Sequence, residues 1–378
     1  MKKEISVIGA FDRYNYGDLL FPCIMNFFYC KYLDTENYEL KFYGLRKYKN
    51  INIPEIYETE SIRRMPCRGI IINAGGNTLN VPIESLFADN IDNLFLYKSY
   101  SFISSLFSKK IVRIWLRKIL RINSNYPYCI ADRNVVYNSV GGSINKDILS
   151  DKNQKLDFSR NYMSVRDKRT YESVESIADA HLVPDSAIIL SDLWNGTFLE
   201  RKIRHEIYNS TKEEYIIFQI SKGMINDKFE VKEIKKFLEH LPVKVWLVPI
   251  GKVNSHGDLN ILNQIFDDKR KYIYYKDIGV YETTYVIANA LGFIGSSLHG
   301  NLISFSYGIP SILISKDNTK NKDYYDTWLR GTSCKTCSLD ELLHQNLYFE
   351  KVNYDAIVEQ KQLVYENFRL ISDYIKSL

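Results

Sequence analysis

The segment Gly295-Ser296-Ser297-Leu298-His299-Gly300-Asn301, followed by Ser306-Tyr307-Gly308-Ile309-Pro310, collects the residue types that acid–base and anion chemistry use. A short apolar run ends in small polar residues that open a helix. Amides at a helix start attract an anion, two hydroxyls stand beside them, and an imidazole can carry a proton. A lone histidine is more often structural, but one beside Ser-Ser and Gly at a helix start is placed for chemistry. The pattern predicts an anionic donor held near Ser296, Ser297, Gly300 and Asn301, with His299 as the proton-transfer group.

Similar junctions recur. Gly9 to Asp18 joins a first strand to a first helix, with Asn15 and Asp18 as caps and Gly17 free to take unusual backbone angles. It is neither a GxGxxG fingerprint nor a P-loop, and a plain capped turn remains an alternative. Asn73-Ala74-Gly75-Gly76-Asn77 and Val140-Gly141-Gly142-Ser143 end buried runs in paired glycines, which allow a close approach by backbone or ligand. Ser164-Val165-Arg166-Asp167-Lys168-Arg169 places cations at a helix start, against the dipole, so an anion or a carboxylate such as Asp185 should answer them. His256 and Asp258, two apart after Pro249, are further cleft candidates, or a loop with an Asp cap. No metal site is expected. Cys334-Lys335-Thr336-Cys337 lacks a second ligand pair, and the six cysteines read as scattered free thiols in a reducing compartment.

Short apolar runs position these junctions: Ile5–Ala10, Gly69–Asn73, Val135–Val140 and Tyr162–Val165, then Tyr215–Ile220, Val243–Val248, Tyr272–Tyr275, Gly292–Gly295 and Ser311–Ile314. Helical patterns lie between most of them. This alternation predicts an α/β chain of two Rossmann-like, doubly wound domains facing across a cleft, residues 1–200 and 201–349, with a final helix over 350–378 that could pack back on the first. Ligands of such sheets bind beyond the carboxyl ends of the strands.

The chain has 378 residues, 45% apolar and 25% charged, which excludes a disordered chain or a disulfide scaffold. No apolar run is long enough to cross a membrane and the basic N-terminus leads into Asp12 and Arg13, so a cytoplasmic location is expected. The formal charge of +5 is local. No acidic residue lies between Asp92 and Asp132, while Lys98, Lys109, Lys110, Arg113, Arg117, Lys118 and Arg121 do. Lys109, Arg113, Arg117 and Arg121 are spaced to form one stripe of a helix whose apolar arc is Val112, Trp115, Leu116, Ile119 and Leu120. Segment 105–122 could lie peripherally on an anionic membrane surface, or simply be a solvated helix; nucleic acid is not expected as a partner.

In order along the chain, Asn15-Tyr16-Gly17-Asp18, Gly75-Gly76-Asn77, Ser164-Val165-Arg166-Asp167, Val183-Pro184-Asp185 and Ser297-Leu298-His299-Gly300 with Gly308-Ile309-Pro310 resemble the polysaccharide pyruvyl transferase family. The resemblance implies a GT-B-like fold, phosphoenolpyruvate as co-substrate with no resident cofactor, and a sugar acceptor of a surface polysaccharide such as a capsule, carried on a lipid. Some members have Arg directly before Leu-His, where this chain has Ser297, so Arg166 and Lys168 would supply the donor's counter-charge. On that reading His299 is the acid, Asp18 the base, Ser164 and the residues around His299 hold the donor, and Asn15, Gly17, Gly75, Gly76 and Asn77 face the acceptor. The alternatives are a GT-B glycosyltransferase using a sugar nucleotide and a non-catalytic assembly scaffold.

Overall fold

The structure, a computed structural model, describes residues 2–49, 53, 58–131, 133–150, 157–254, 257–267, 271–345 and 348–378. The first half builds strands β1 (Lys3–Ile8), β2 (Tyr38–Gly44), β3 (Tyr48–Lys49), β4 (Glu58–Ser61), β5 (Ile70–Asn73), β6 (Gly76–Asn77), β7 (Val135–Gly141), β8 (Tyr162–Val165) and β9 (Ala180–Leu182). They order as β3-β4-β2-β1-β5-β7-β8-β9, with β6 against β7. The second half builds β10 (Tyr215–Gln219), β11 (Lys244–Leu247), β12 (Tyr272–Tyr274), β13 (Gly292–Gly295), β14 (Ser311–Ile314) and β15 (Cys334–Cys337), ordered β12-β11-β10-β13-β14-β15. Every pairing is parallel except β3 with β4. β5, β7, β10, β13 and β14 are buried along their whole length, as strands covered on both faces must be.

Both sheets reverse strand order beside their first strand, between β1 and β5 and between β10 and β13. Each reversal opens a crevice at the carboxyl strand ends, because the connections on either side leave in opposite directions. The two crevices face one another. The first helix, α1 (Tyr16–Tyr32), lies between the sheets and is buried along most of its length. One apolar cluster joins Val7, Tyr16 and Leu20 to Ile217, Phe293 and Leu302 of the second half. The halves therefore share a core and are not joined by a wet hinge. Polar contacts fix the register: the Tyr16 amide donates to Ile250 O at 3.0 Å, Tyr14 Oη donates to Ile278 O at 3.0 Å, and Asn15 bridges Gly251.

Four further helices frame the cleft and its rim: α2 (Ile83–Asp89), α3 (Leu94–Ser105), α4 (Lys109–Leu120) and α5 (Lys168–Val174). On the second sheet, α6 (Leu298–Ser306) follows β13, and α7 (Tyr354–Lys376) is the long final helix. Asn367 of α7 accepts from Tyr162 Oη at 2.8 Å and donates to Asn138 Oδ1 at 3.0 Å, while Ser372 Oγ donates to Tyr32 O at 2.8 Å. The last helix is thus strapped across the first sheet.

Between the two sheets, Leu190–Leu193, Gly196–Glu200 and His205–Ser210 are short helices that bury Leu190, Leu199 and Ile207. Cys334 and Cys337 lie on an edge strand, where alternation turns them to opposite faces and into different apolar clusters. Among the described residues no group of His, Cys, Asp and Glu could hold a metal, and no helix is long and apolar enough to cross a membrane.

Candidate active site

A cleft of about 350 Å³ lies where the two crevices meet. Strand-end loops of the first sheet contribute Arg13, Asn15, Asp18, Asn77 and Thr78; α2 adds Leu86 and Asp89. The second sheet contributes Gln219 and Ser221 after β10, Ile250 and Gly251 after β11, Asp258, and Ser296 to His299 after β13, with Lys320 and Asn321 closing one side.

The geometry around His299 follows from α6. Ser297 caps this helix by accepting from the Gly300 amide at 3.2 Å, and the Ser297 amide donates to Gln219 Oε1 at 2.9 Å. His299 then sits two residues past the cap, in the first turn, with its ring against α1. A Cβ on Gly17 would stand 2.0 Å from His299 Nδ1, so only glycine lets the imidazole lie there. The Phe21 ring meets His299 edge-on at 5.6 Å. Phe21 in turn occupies space that only Gly75, at φ +128, leaves open: a Cβ there would lie 2.5 Å from its ring. Glycines expected to face an acceptor thus hold the histidine in place. Gly75 and Gly76 do not line the cleft, and Gly17 supports the ring from behind.

Asp185 completes this arrangement. Its Oδ2 lies 2.8 Å from Arg166 Nη1 and 3.6 Å from His299 Nε2, and its Oδ1 accepts from the Ala187 amide at 3.0 Å. At 3.6 Å the histidine contact is a charge interaction rather than a hydrogen bond. Burial pushes the Asp185 carboxyl upward, but His299, Arg166 and the Ala187 amide outweigh it and bring it down to about 2. The carboxylate faces the buried Nε2 edge of the imidazole, and Nε2 makes no hydrogen bond among the described residues.

Cations ring the same space. Arg13 is buried against Asp89 at 3.1 Å, Asp18 at 3.6 Å and Asp12 at 3.6 Å, yet its Nε and Nη1 make no hydrogen bond. Arg166 is buried, and its Nε is also unsatisfied. Lys320 makes no hydrogen bond or ion pair among the described residues. Its crowded setting, and then the charge of Arg166, hold its ammonium below the usual lysine range. Asp258 accepts at Oδ2 from Gln219 Nε2 at 2.8 Å and from the Gly251 amide at 3.0 Å, while its Oδ1 is unsatisfied. Burial is the larger influence and pushes this carboxyl up to about 6. Buried donors without partners cost free energy, so their concentration here marks the cleft as built for a polar ligand.

The structure brings together His299, Asp18, Asn15, Asn77, Ser296, Ser297, Asp258, Asp185 and Arg166 of the sequence-predicted residues. It separates others. Lys168 is exposed outside the cleft, because Asp167 caps α5 by accepting from the Thr170 amide and turns the next side chain outward. Ser164 is buried in the sheet, donating to Tyr137 O at 3.0 Å and accepting from the Ser139 amide. Asn301 spends its amide on Gly295 O and Ser297 O, and Gly300 is buried against Phe293. None of these four can touch a ligand in the cleft. His256 lies outside the described residues. Sequence reasoning missed Arg13, Asp89, Gln219 and Lys320; of these only Arg13, between two carboxylates in the first strand-end loop, carried a local signal.

A family model described as polysaccharide pyruvyl transferase matches residues 15–318. The chain belongs to the polysaccharide pyruvyl transferase family. Its members are transferases, and the match takes in every strand-end loop of the cleft from Asn15 to Ser297. No curated protein matches the chain. Among solved structures it is similar to a UDP-GlcNAc 2-epimerase from Methanocaldococcus jannaschii in complex with UDP-GlcNAc and UDP, with a TM-score of 0.52 and 12% identity over 97% of this chain and 99% of that one. It is also similar to the S. aureus MnaA–UDP structure, with a TM-score of 0.53 and 8% identity over 98% and 91%. At such identities the likeness establishes the fold, which is GT-B: two facing Rossmann-like domains. In this pyruvyl transferase family member, Arg13 and Lys320 bring positive charge to the cleft that Lys168 does not.

Proposed function

We propose that the chain transfers a pyruvate unit from phosphoenolpyruvate to two hydroxyls of a sugar in a surface polysaccharide or its lipid-linked precursor. The observation that carries this reading is the pairing of Asp185–His299 with Arg13, Arg166 and Lys320 around one cleft. Phosphoenolpyruvate is a compact trianion, and three cations with unsatisfied or solvent-facing donors supply its counter-charge. The amides of Leu298 and His299 at the start of α6 add to that field.

The reaction needs one proton on the enol carbon and two C–O bonds at C2. His299 protonates C3, which makes C2 electrophilic. One sugar hydroxyl adds to C2 as Asp18 takes its proton. The second hydroxyl then displaces phosphate: a C–O bond to the sugar forms, the C–O bond to phosphate breaks, and the released proton leaves with inorganic phosphate. Developing charge on the phosphate is met by Lys320 and Arg13. Asn15 and Asn77 face the cleft from the first domain and are the acceptor-side candidates.

The test is a product-mass assay with phosphoenolpyruvate and a panel of aryl sugars, run beside UDP-sugars. A gain of about 70 Da with matching phosphate release is the ketal outcome. His299→Asn should lower turnover by about 10²–10⁴-fold. A hexose-sized gain from a UDP-sugar, with no phosphate released from phosphoenolpyruvate, would replace this reading with glycosyl transfer. No product from either donor would favour a scaffold.

A further inference from the structure

Exposed large apolar side chains concentrate in one place. Phe95 is 75% exposed, Phe102 66%, Leu106 64% and Trp115 51%, with Leu96 and Phe107 among their neighbours. All belong to the hairpin formed by α3, α4 and the turn between them. No residue of α3 is buried. It is held to the body through Tyr100, whose Oη donates to Glu84 O at 3.2 Å and whose ring lies 5.1 Å from Phe87. α4 has two apolar faces. Val112 and Leu116 pack on Ile83, while Ile114 on the far side of the helix, and Ile111 and Trp115 on its flank, face out. A helix packed only on its own domain needs one apolar face.

The charge around this apolar surface has one sign. Arg113 pairs with Glu84 at 2.8 Å and stacks over Tyr126, and Arg117 donates to Asn123 O at 3.2 Å. The stripe read from spacing is thus partly spent on the fold. Lys98, Lys109, Lys110, Lys118 and Arg121 remain exposed, without an ion pair among the described residues. With no acidic residue from 93 to 131, nothing in the hairpin answers them. A second copy of this face would repeat the same charge, so self-association opposes five cations to five. A surface combining anionic groups with an apolar interior fits both features.

The hairpin also has a fixed relation to the cleft. Leu86 and Asp89 of α2 line the cleft, and the chain enters α3 directly after them. Asn254 of the second domain donates to Ile91 O at 2.9 Å and to Asp92 O, securing the junction. We infer that the α3–α4 hairpin docks on the surface of an anionic lipid bilayer, its exposed aromatic and aliphatic side chains at headgroup depth and the mouth of the cleft beside the membrane. Delivery of a lipid-linked sugar to that mouth rests on the proposed reaction; the docking itself does not.

The experiment is co-sedimentation of the full chain with vesicles of phosphatidylcholine alone and of phosphatidylcholine mixed with phosphatidylglycerol. Binding to the mixed vesicles, weakening as salt rises, is expected. The triple variant Phe102→Ser, Leu106→Ser, Trp115→Ser should bind about tenfold or more weakly while keeping its circular dichroism, because all three side chains face water. Lys109→Glu with Lys110→Glu and Lys118→Glu should abolish the preference for phosphatidylglycerol. Equal binding by wild type and the apolar triple variant would overturn the inference, as would absence of binding to either vesicle. A wild type that dimerises while the triple variant stays monomeric would make the hairpin a self-association face instead. Vesicle binding requires neither donor nor acceptor, so its failure is separable from failure of the transfer assay.

Discussion

The cleft and the hairpin both gather cations, and the two treat them in opposite ways. In the cleft Arg13 meets Asp12, Asp18 and Asp89, and Arg166 meets Asp185, all at low exposure. In the hairpin five cations stand in water with no carboxylate in the segment. Burying an arginine requires a partner, so Arg13 and Arg166 come with their own carboxylates, while Lys320 faces the cleft unpaired. Exposed lysines need no partner, so the hairpin charges organise nothing inside the protein and can act only on what approaches from outside. Similar residue types thus build a site in one region and a surface in the other.

The strongest way to break this comparison is Asp185→Ala. It leaves Arg166 buried with only the 3.9 Å contact to Asp167, and removes the group that holds His299 Nε2. An uncompensated buried charge costs about 3–5 kcal/mol. Urea unfolding at neutral pH should show a loss of that order, together with loss of transfer. A loss below about 1 kcal/mol would mean that the cleft cations are not held by their carboxylates.

A finer probe uses the opposite behaviour of two cleft acids. Asp185 is lowered to about 2, so its contribution is present above the ordinary aspartate range and is lost as pH falls through 2. Asp258 is raised to about 6, so its contribution is present below the ordinary range and is lost as pH rises through 6. Asp258→Asn keeps an oxygen for the Gly251 and Ile250 amides and for Gln219, and its new NH₂ replaces Oδ1, which makes no hydrogen bond. The variant should therefore gain on wild type by about 1–3 kcal/mol as pH rises from 4 to 7. Measuring urea midpoints across that range checks it, and parallel curves would show that burial does not control this carboxyl.

The scaffold was largely legible, and the reasons are local. β5, β7, β10, β13 and β14 are apolar runs that end in small or polar residues, the signature of strands covered on both faces. β2, Tyr-Glu-Leu-Lys-Phe-Tyr-Gly, and β15, Cys-Lys-Thr-Cys, were not, because half-exposed strands away from the centre mix charged and polar residues. The site was legible where one loop suffices: Ser296 to His299, and Asn15 to Asp18. It was not legible where partners meet across the chain. Nothing near Lys320 indicates that it shares a cleft with Arg13, and nothing near Lys168 indicates that the Asp167 cap turns it away. Gly75 showed that close approach was needed but not that Phe21, carrying His299, is what approaches.

The smallest expected effect sharpens the comparison from the other side. If the hairpin charges and apolar side chains act only outward, removing them should leave folding almost untouched. Phe102→Ser and Lys110→Glu alter side chains that face water and have no partner in the fold, so each should change unfolding free energy by no more than about 0.5 kcal/mol. Arg113→Glu provides the contrast within the same helix. It breaks the contacts to Glu84 and Tyr126 and places two carboxylates together, so it should cost more than either of the others. Should Phe102→Ser instead destabilise as much as Arg113→Glu, the hairpin would be part of the packed body, and its exposed apolar face would need a partner within this protein rather than beyond it.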